Sequence, residues 1–167
     1  MTIPWRYPAD PLRRWLFRLP VAAYRLGMGR LMGGWPITPE VRMGILLMTT
    51  VGRTSRRPRT TALEYRERGG RFFLVSAWGR RADWFKNIEH DPHVRVQAGK
   101  HRVLCRARAL TSAADRDEAF DVWLCSNPRA AARFFRLIGL HLPESADEQR
   151  QLFEQFVAVV LEPEWSA

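Results

Sequence analysis

The sequence predicts an α+β domain: a mainly antiparallel β-barrel with an N-terminal helix before it and C-terminal helices around its last strand. Three observations carry this. Residues 43 to 50, 58 to 67 and 71 to 78 are strand-like runs in succession, with Gly69-Gly70 as the turn between the second and third. Val94, Val96, Ala98 and then Val103, Cys105, Ala107, Ala109 alternate with polar residues on either side of Gly99-Lys100, the pattern of a half-buried hairpin. Helical segments then lead to a β-branched run, Val157 to Leu161, that returns to the sheet. Five or six strands with helices in two of the connections make a small α+β barrel.

The elements follow in order. Residues 12 to 32 read as helical, with Leu12, Trp15, Leu16 and Leu19 on one face, Arg13, Arg14 and Arg18 elsewhere, and Pro20 dividing the segment. Those arginines and Arg25 interrupt any apolar core of a cleaved leader, and no apolar run approaches the length of a membrane span. Gly33-Gly34-Trp35-Pro36 and Pro39 part this segment from the body, so the chain divides into a helical segment, 1–40, and a barrel domain, 41–167. Asp83 to Glu89 is a short helix, and Asp91-Pro92 restarts extended chain. Ser112 with Asp115 opens a helix to Cys125, Asn127-Pro128 opens another that Gly139 ends, and Ser145 with Glu148 opens a third over residues 146 to 155.

At 167 residues with 46% hydrophobic and 11% aromatic content, the chain is one domain with ample material for a core. Its net charge of +10 comes from arginine, since lysine occurs only at Lys86 and Lys100. Arginine is suited to planar, bidentate recognition of anions, which leaves nucleic acid, an anionic membrane and a polyanionic small molecule open. Four arginines sit together: Ile45-Leu46-Leu47-Met48 runs into Thr49-Thr50-Val51-Gly52 and then Arg53-Thr54-Ser55-Arg56-Arg57-Pro58-Arg59. A buried strand that ends at a glycine, followed by guanidinium and hydroxyl groups, reads as an anion cradle for a ligand with several negative charges. The plainer reading is solvated charge on an exposed hairpin.

Further along stand Leu63, Ser76-Ala77-Trp78-Gly79, Asp83-Trp84-Phe85-Lys86-Asn87-Ile88 and Asp91-Pro92-His93-Val94. In this order and spacing, from Leu46 to Ala109, the chain resembles the deazaflavin-dependent nitroreductase and quinone-reductase family, which has the split β-barrel fold. The resemblance implies an oxidoreductase whose cofactor is reduced 8-hydroxy-5-deazaflavin, coenzyme F420, with its phosphodiester and polyglutamate tail. It implies that Arg53, Thr54, Ser55, Arg56 and Arg59 hold the phosphate and tail, and that Met48, Thr49 and Thr50 line the ring. Ser76, Ala77 and Trp78 would stand beside the ring, with Trp84 and Asn87 anchoring from the short helix. Trp84 reads equally well as a core aromatic. The acceptor would be a quinone, a nitroaromatic or another conjugated small molecule, faced by Trp123, Phe134 and Phe135. Tyr65 is the candidate proton donor. The chain differs from that family in carrying Thr54 and Arg56 where a lysine and then a glycine are common, and in a shorter loop from Gly79 to Trp84.

Rival readings are a barrel that binds flavin mononucleotide or haem, and a non-enzymatic carrier of a fatty acid or lipid. Nucleic-acid binding ranks last, because no helix-turn-helix, RNP or zinc-finger pattern occurs. His90, His93, His101 and His141 are too scattered for a metal site. Cys105 alternates with Val103 and Ala107 as a buried residue, and with Cys125 it suits a reduced cytoplasmic protein. The basic N-terminal helix either packs on the barrel or attaches to the inner face of the cell membrane, and a homodimer is expected by analogy with split barrels.

Overall fold

The computed structural model of the protein describes residues 19–164, apart from the side chain of Arg30. The expected apolar face of Leu12, Trp15 and Leu16, with Arg13, Arg14 and Arg18, lies outside the described residues. Helix α1 is Leu19–Arg25, followed by a 3-10 turn at Met28–Leu31 and a two-residue strand β1, Trp35–Pro36. Then come β2 (Val41–Val51), β3 (Pro58–Arg68), β4 (Arg71–Ser76), a 3-10 turn at Gly79–Arg81, α2 (Asp83–His90), β5 (His93–Ala98) and β6 (His101–Ala109). Helix α3 (Ala113–Phe120), a π-helical turn (Asp121–Cys125), α4 (Pro128–Leu137) and α5 (Ala146–Phe153) precede β7 (Val157–Pro163).

The strands lie in the order β1-β2-β3-β4-β7-β6-β5, and β5 pairs back onto β2, so β2 to β7 close a barrel. Each neighbouring pair is antiparallel. The expected α+β barrel and the order of its elements are therefore found. Gly69 and Gly70 take φ of 59° and 75°, the two left-handed positions that a two-residue turn needs to let β3 and β4 keep their twist.

Two cores share the sheet. Inside the barrel, Leu46, Met48, Leu74, Val94, Val96 and Val159 meet Trp84, Phe85 and Ile88, by which α2 stoppers one end. Outside it, Phe73, Val75 and Val160 pack under the helical layer of Phe120, Trp123, Phe134, Phe135, Phe153 and Phe156. This explains why Phe72 to Val75 is an unbroken apolar run: β4 is buried on both faces, so alternation brings no polar residue. The hairpin β5–β6 has its wet side, with Arg95, Arg102, Arg106 and Arg108 exposed.

The helix expected to reach Cys125 keeps α-helical pairing as far as Phe120 and then widens, with the Ser126 N–H bonding the Asp121 carbonyl at 3.0 Å. Trp123 on that turn is 1% exposed and donates from Nε1 to the Phe73 carbonyl at 3.2 Å. Its ring lies 4.4 Å from the guanidinium carbon of Arg66, whose side chain is fully buried. Arg66 donates from Nη1 to Glu64 Oε1 at 2.8 Å, while Nε and Nη2 make no hydrogen bond. Burial pulls this guanidinium below its ordinary pKa, with Glu64 opposing.

The end of the barrel opposite α2 is closed by the segment before β2. Met32 accepts from the Ile45 N–H at 2.6 Å, Tyr24 Oη accepts from Gly99 N–H at 3.1 Å, and Tyr65 Oη accepts from Gly34 N–H at 2.9 Å.

Candidate functional site

Strand directions put the ends of β2, β4 and β6 and the starts of β3, β5 and β7 at one end of the barrel, the end that α2 stoppers. There β2 and β3 stay paired to Val51↔Pro58 and are joined by the turn Gly52 to Arg57. The turn folds back on itself: Gly52 N–H bonds the Arg57 carbonyl at 2.9 Å and Arg56 N–H bonds the Gly52 carbonyl at 2.8 Å. A Cβ on Gly52 would lie 2.7 Å from Ser55 Oγ and 3.2 Å from the Arg57 carbonyl oxygen, so glycine is needed for this close approach. Arg56 has φ 55°, the one positive value at a non-glycine among the described residues. A side chain costs about 1 kcal/mol there.

Asn87 ties the turn to α2. Its side chain, 4% exposed, donates from Nδ2 to Thr50 Oγ1 at 3.0 Å. Its Oδ1 accepts the Arg53 main-chain N–H at 3.2 Å and Arg53 Nη1 at 3.3 Å. Arg53 also reaches Asp83 Oδ1 from both Nη1 and Nη2, each at 3.2 Å. Arg56 Nη1 lies 3.2 Å from His90 Nε2, and Arg59 Nη2 donates to Ser55 Oγ at 3.4 Å. Arg56, Arg57 and Arg59 are exposed and have no carboxylate in ion-pair range among the described residues.

Beside the turn the barrel parts. Pairing of β3 with β4 stops at Tyr65↔Leu74, although β3 continues along β2 to Pro58 and β4 continues along β7 to Ser76. Pro58 to Glu64 therefore leave β4, and Leu63 and Trp78 border the gap as half-buried apolar residues.

The structure brings Thr50, Arg53, Ser55, Arg56, Arg59 and Asn87 together, with Thr54 exposed on the same turn. Ser76 is buried and donates to the Gly79 carbonyl at 2.8 Å, Ala77 is buried, and Trp84 is a core aromatic in edge-to-face contact with Phe85. The side chains of Met48, Thr49 and Thr50 do not share one face, because neighbours on a strand point opposite ways. Met48 is 0% exposed inside the barrel, whereas Thr49 faces outward and shares a 2.9 Å hydrogen bond with Thr60. Tyr65 lies far from this end: six residues beyond Arg59 on β3, it is about 20 Å away along the strand. Burial pushes its pKa up to about 12. Trp123, Phe134 and Phe135 form the helical core rather than a ligand-facing wall.

Asp83 and His90 also stand against the turn, through Arg53 and Arg56, and the sequence did not single them out. Their spacing with Asn87, four and then three residues, places all three on one helix face and was the available signal. Cys105 is held as a thiol, its pKa pushed up to about 12 by burial. Among the described residues no cluster of His, Cys, Asp or Glu suits a metal, and no helix is long and apolar enough to cross a membrane. A cavity of about 370 Å³ lies on the β6–β7 side under α3 and α5. Two arginines, Arg116 and Arg150, and two carboxylates, Asp117 and Glu154, line it, and Arg150 is paired with Asp117.

A closed antiparallel barrel that parts between its second and third long strands, beside an arginine-lined turn, defines a split β-barrel protein. The chain belongs to the family described as F420H(2)-dependent quinone reductase, whose model matches residues 15–136. It is 34% identical over 98 residues to an F420H(2)-dependent quinone reductase of Mycobacterium tuberculosis, and a relative from Mycobacterium bovis matches equally well. Each match covers 57% of this chain and 63% of the relative, so the chain spans less than two thirds of the curated relatives it matches. Solved structures with this fold include a domain-swapped dimer, 21% identical with a TM-score of 0.51 over 71% of this chain and 79% of that one. A conserved hypothetical protein of Mycobacterium tuberculosis is 16% identical with a TM-score of 0.50 over 72% of this chain and 73% of its own.

Proposed function

We propose that the protein is an oxidoreductase that passes a hydride from reduced coenzyme F420 to a quinone, a nitroaromatic or another conjugated acceptor. The observation that carries this is the set of exposed guanidinium side chains Arg56, Arg57 and Arg59 on the turn at the stoppered end of the barrel, which meet no carboxylate among the described residues. A phosphodiester with a polyglutamate tail fits that donor set, since each acidic group can take a planar, charge-assisted pair of hydrogen bonds. Arg56, Arg57, Arg59 and Ser55 would hold the tail. Arg53, fixed by Asn87, would hold the charge nearest the gap, and Trp78 and Leu63 would border the ring.

When bound, the reduced coenzyme supplies the hydride in a two-electron step. The protein's own part is to bind and orient. Asn87 and Thr50 fix the Arg53 main chain, and Trp84 and Phe85 keep the barrel interior dry behind the gap. The family match and the names of the relatives support this reading over flavin mononucleotide, haem or a lipid. Fluorescence titration of the purified chain tests it. Coenzyme F420 is expected to bind at least about tenfold more tightly than flavin mononucleotide, from one extra charged hydrogen bond or more. Equal or reversed affinities would sink the proposal.

We further place the enzyme in the cytoplasm, as a homodimer in peripheral contact with the membrane where quinones dissolve. Unpaired cysteines at Cys105 and Cys125 suit that compartment. At the end of the barrel opposite α2, Leu26 and Leu31 are 76% and 70% exposed, Met28 and Trp35 are also exposed, and Arg25, Arg42, Lys100 and Arg102 are exposed cations. Apolar side chains among cations suit an anionic lipid surface. The chain is expected to float with anionic vesicles and Leu26→Ser with Leu31→Ser to stay behind; a wild-type chain that stays behind removes the membrane contact. Light scattering at 19.4 kDa would likewise remove the dimer.

A further inference from the structure

We propose that Asp83 is a resident counter-ion that an incoming phosphate or carboxylate must displace from Arg53, and that it thereby sets how many charges a ligand needs in order to bind. This rests on the reading of the arginine turn as the coenzyme site. Both Nη1 and Nη2 of Arg53 converge on a single oxygen, Asp83 Oδ1, at 3.2 Å each. That falls short of the two parallel bonds a fork-to-fork pair makes, so an arriving anion can offer Arg53 a better geometry. Both side chains are open to water, at 37% exposure for Arg53 and 78% for Asp83, and a pair so exposed is weakly held and screened by salt.

The two partners differ in what holds them. Arg53 keeps two hydrogen bonds to buried Asn87 whether or not Asp83 is present. Asp83 makes no other side-chain hydrogen bond or ion pair among the described residues. The carboxylate is therefore the part free to leave. It stands in the first turn of α2, where the helix dipole favours an anion from either source.

A ligand with one charge exchanges one weak pair for another and gains little. A ligand with several charges also meets Arg56, Arg57 and Arg59, and those contacts are surplus. Asp83 thus selects for polyanions by a competing attraction already in the site, a form of discrimination that works against the wrong ligand.

The test is Asp83→Asn beside Arg53→Ala, each titrated with coenzyme F420, with its phosphate-free deazaflavin, and with inorganic pyrophosphate by calorimetry. Asp83→Asn is expected to tighten the coenzyme and pyrophosphate about two- to fivefold, the strength of one exposed ion pair, and to leave the phosphate-free compound unchanged. Unchanged or weaker coenzyme binding in Asp83→Asn, with weaker binding in Arg53→Ala, would overturn the proposal and leave the arginine site standing. If neither variant alters coenzyme binding, Arg53 is outside the site and both readings fall.

Discussion

Beneath α3, Arg71 reaches Glu118 at 2.5 Å while Arg68 reaches Glu118 at 3.5 Å and Asp121 at 2.6 Å, and Arg108 meets both Asp115 and Glu162. In the turn after β2, Arg56, Arg57 and Arg59 meet no carboxylate among the described residues. The same side chain is neutralised where it glues helix to sheet and left without a carboxylate at these three positions of the turn. An arginine's role is therefore read from what stands opposite it, which the net charge of +10 does not record.

Removing a structural arginine separates the two regions most sharply. Arg66→Ala strands Glu64 and opens a hole under Trp123, so urea unfolding should show a loss of about 3 kcal/mol with coenzyme affinity unchanged. Weakened binding in that variant, at temperatures where it is folded, would mean that the regions are not independent. In the turn the pattern reverses. Arg57→Ala and Arg59→Ala should each weaken coenzyme binding about tenfold, less so at high salt, with no change in melting temperature. A lowered melting temperature with intact affinity would make them structural.

Smaller effects sharpen the contrast. Arg56→Gly relieves a left-handed backbone and should stabilise the fold by about 0.5 kcal/mol, since glycine's larger unfolded-state entropy offsets part of the gain. On the neutralised side, Asp115 is held below its ordinary value of 3.8 by Arg108 and then Ser112. A depressed carboxyl contributes stability that is complete above about pH 4 and is lost as pH falls through the lower folded value. Arg108→Ala should therefore flatten the acid limb of stability against pH, and an unchanged limb would show the pair to be inert.

Local signals were legible from the sequence, and distant pairing was not. The runs read at 43 to 50 and 58 to 67 lie within Val41–Val51 and Pro58–Arg68, because alternation and glycine turns are decided by neighbouring residues. The parting of β3 from β4 depends on which strand lies alongside and leaves no local mark. Arg66 looks like one more polar residue of an alternating strand, yet lies fully buried because Trp123 covers it from the π-helical turn. Phe134 and Phe135 announce an apolar helix face without saying what covers it, and the cover is a second core rather than a ligand. The arginine turn was readable as an anion cradle, but Asp83 beside Arg53 emerges only when α2 is placed against it.

The amide of Asn87 has a mechanical consequence. It joins the loop that grips to the helix that stoppers the barrel, accepting from one and donating to the strand beneath. One amide thus laces the turn, the end of β2 and the helix that carries Trp84 and Phe85 into a single hydrogen-bonded knot.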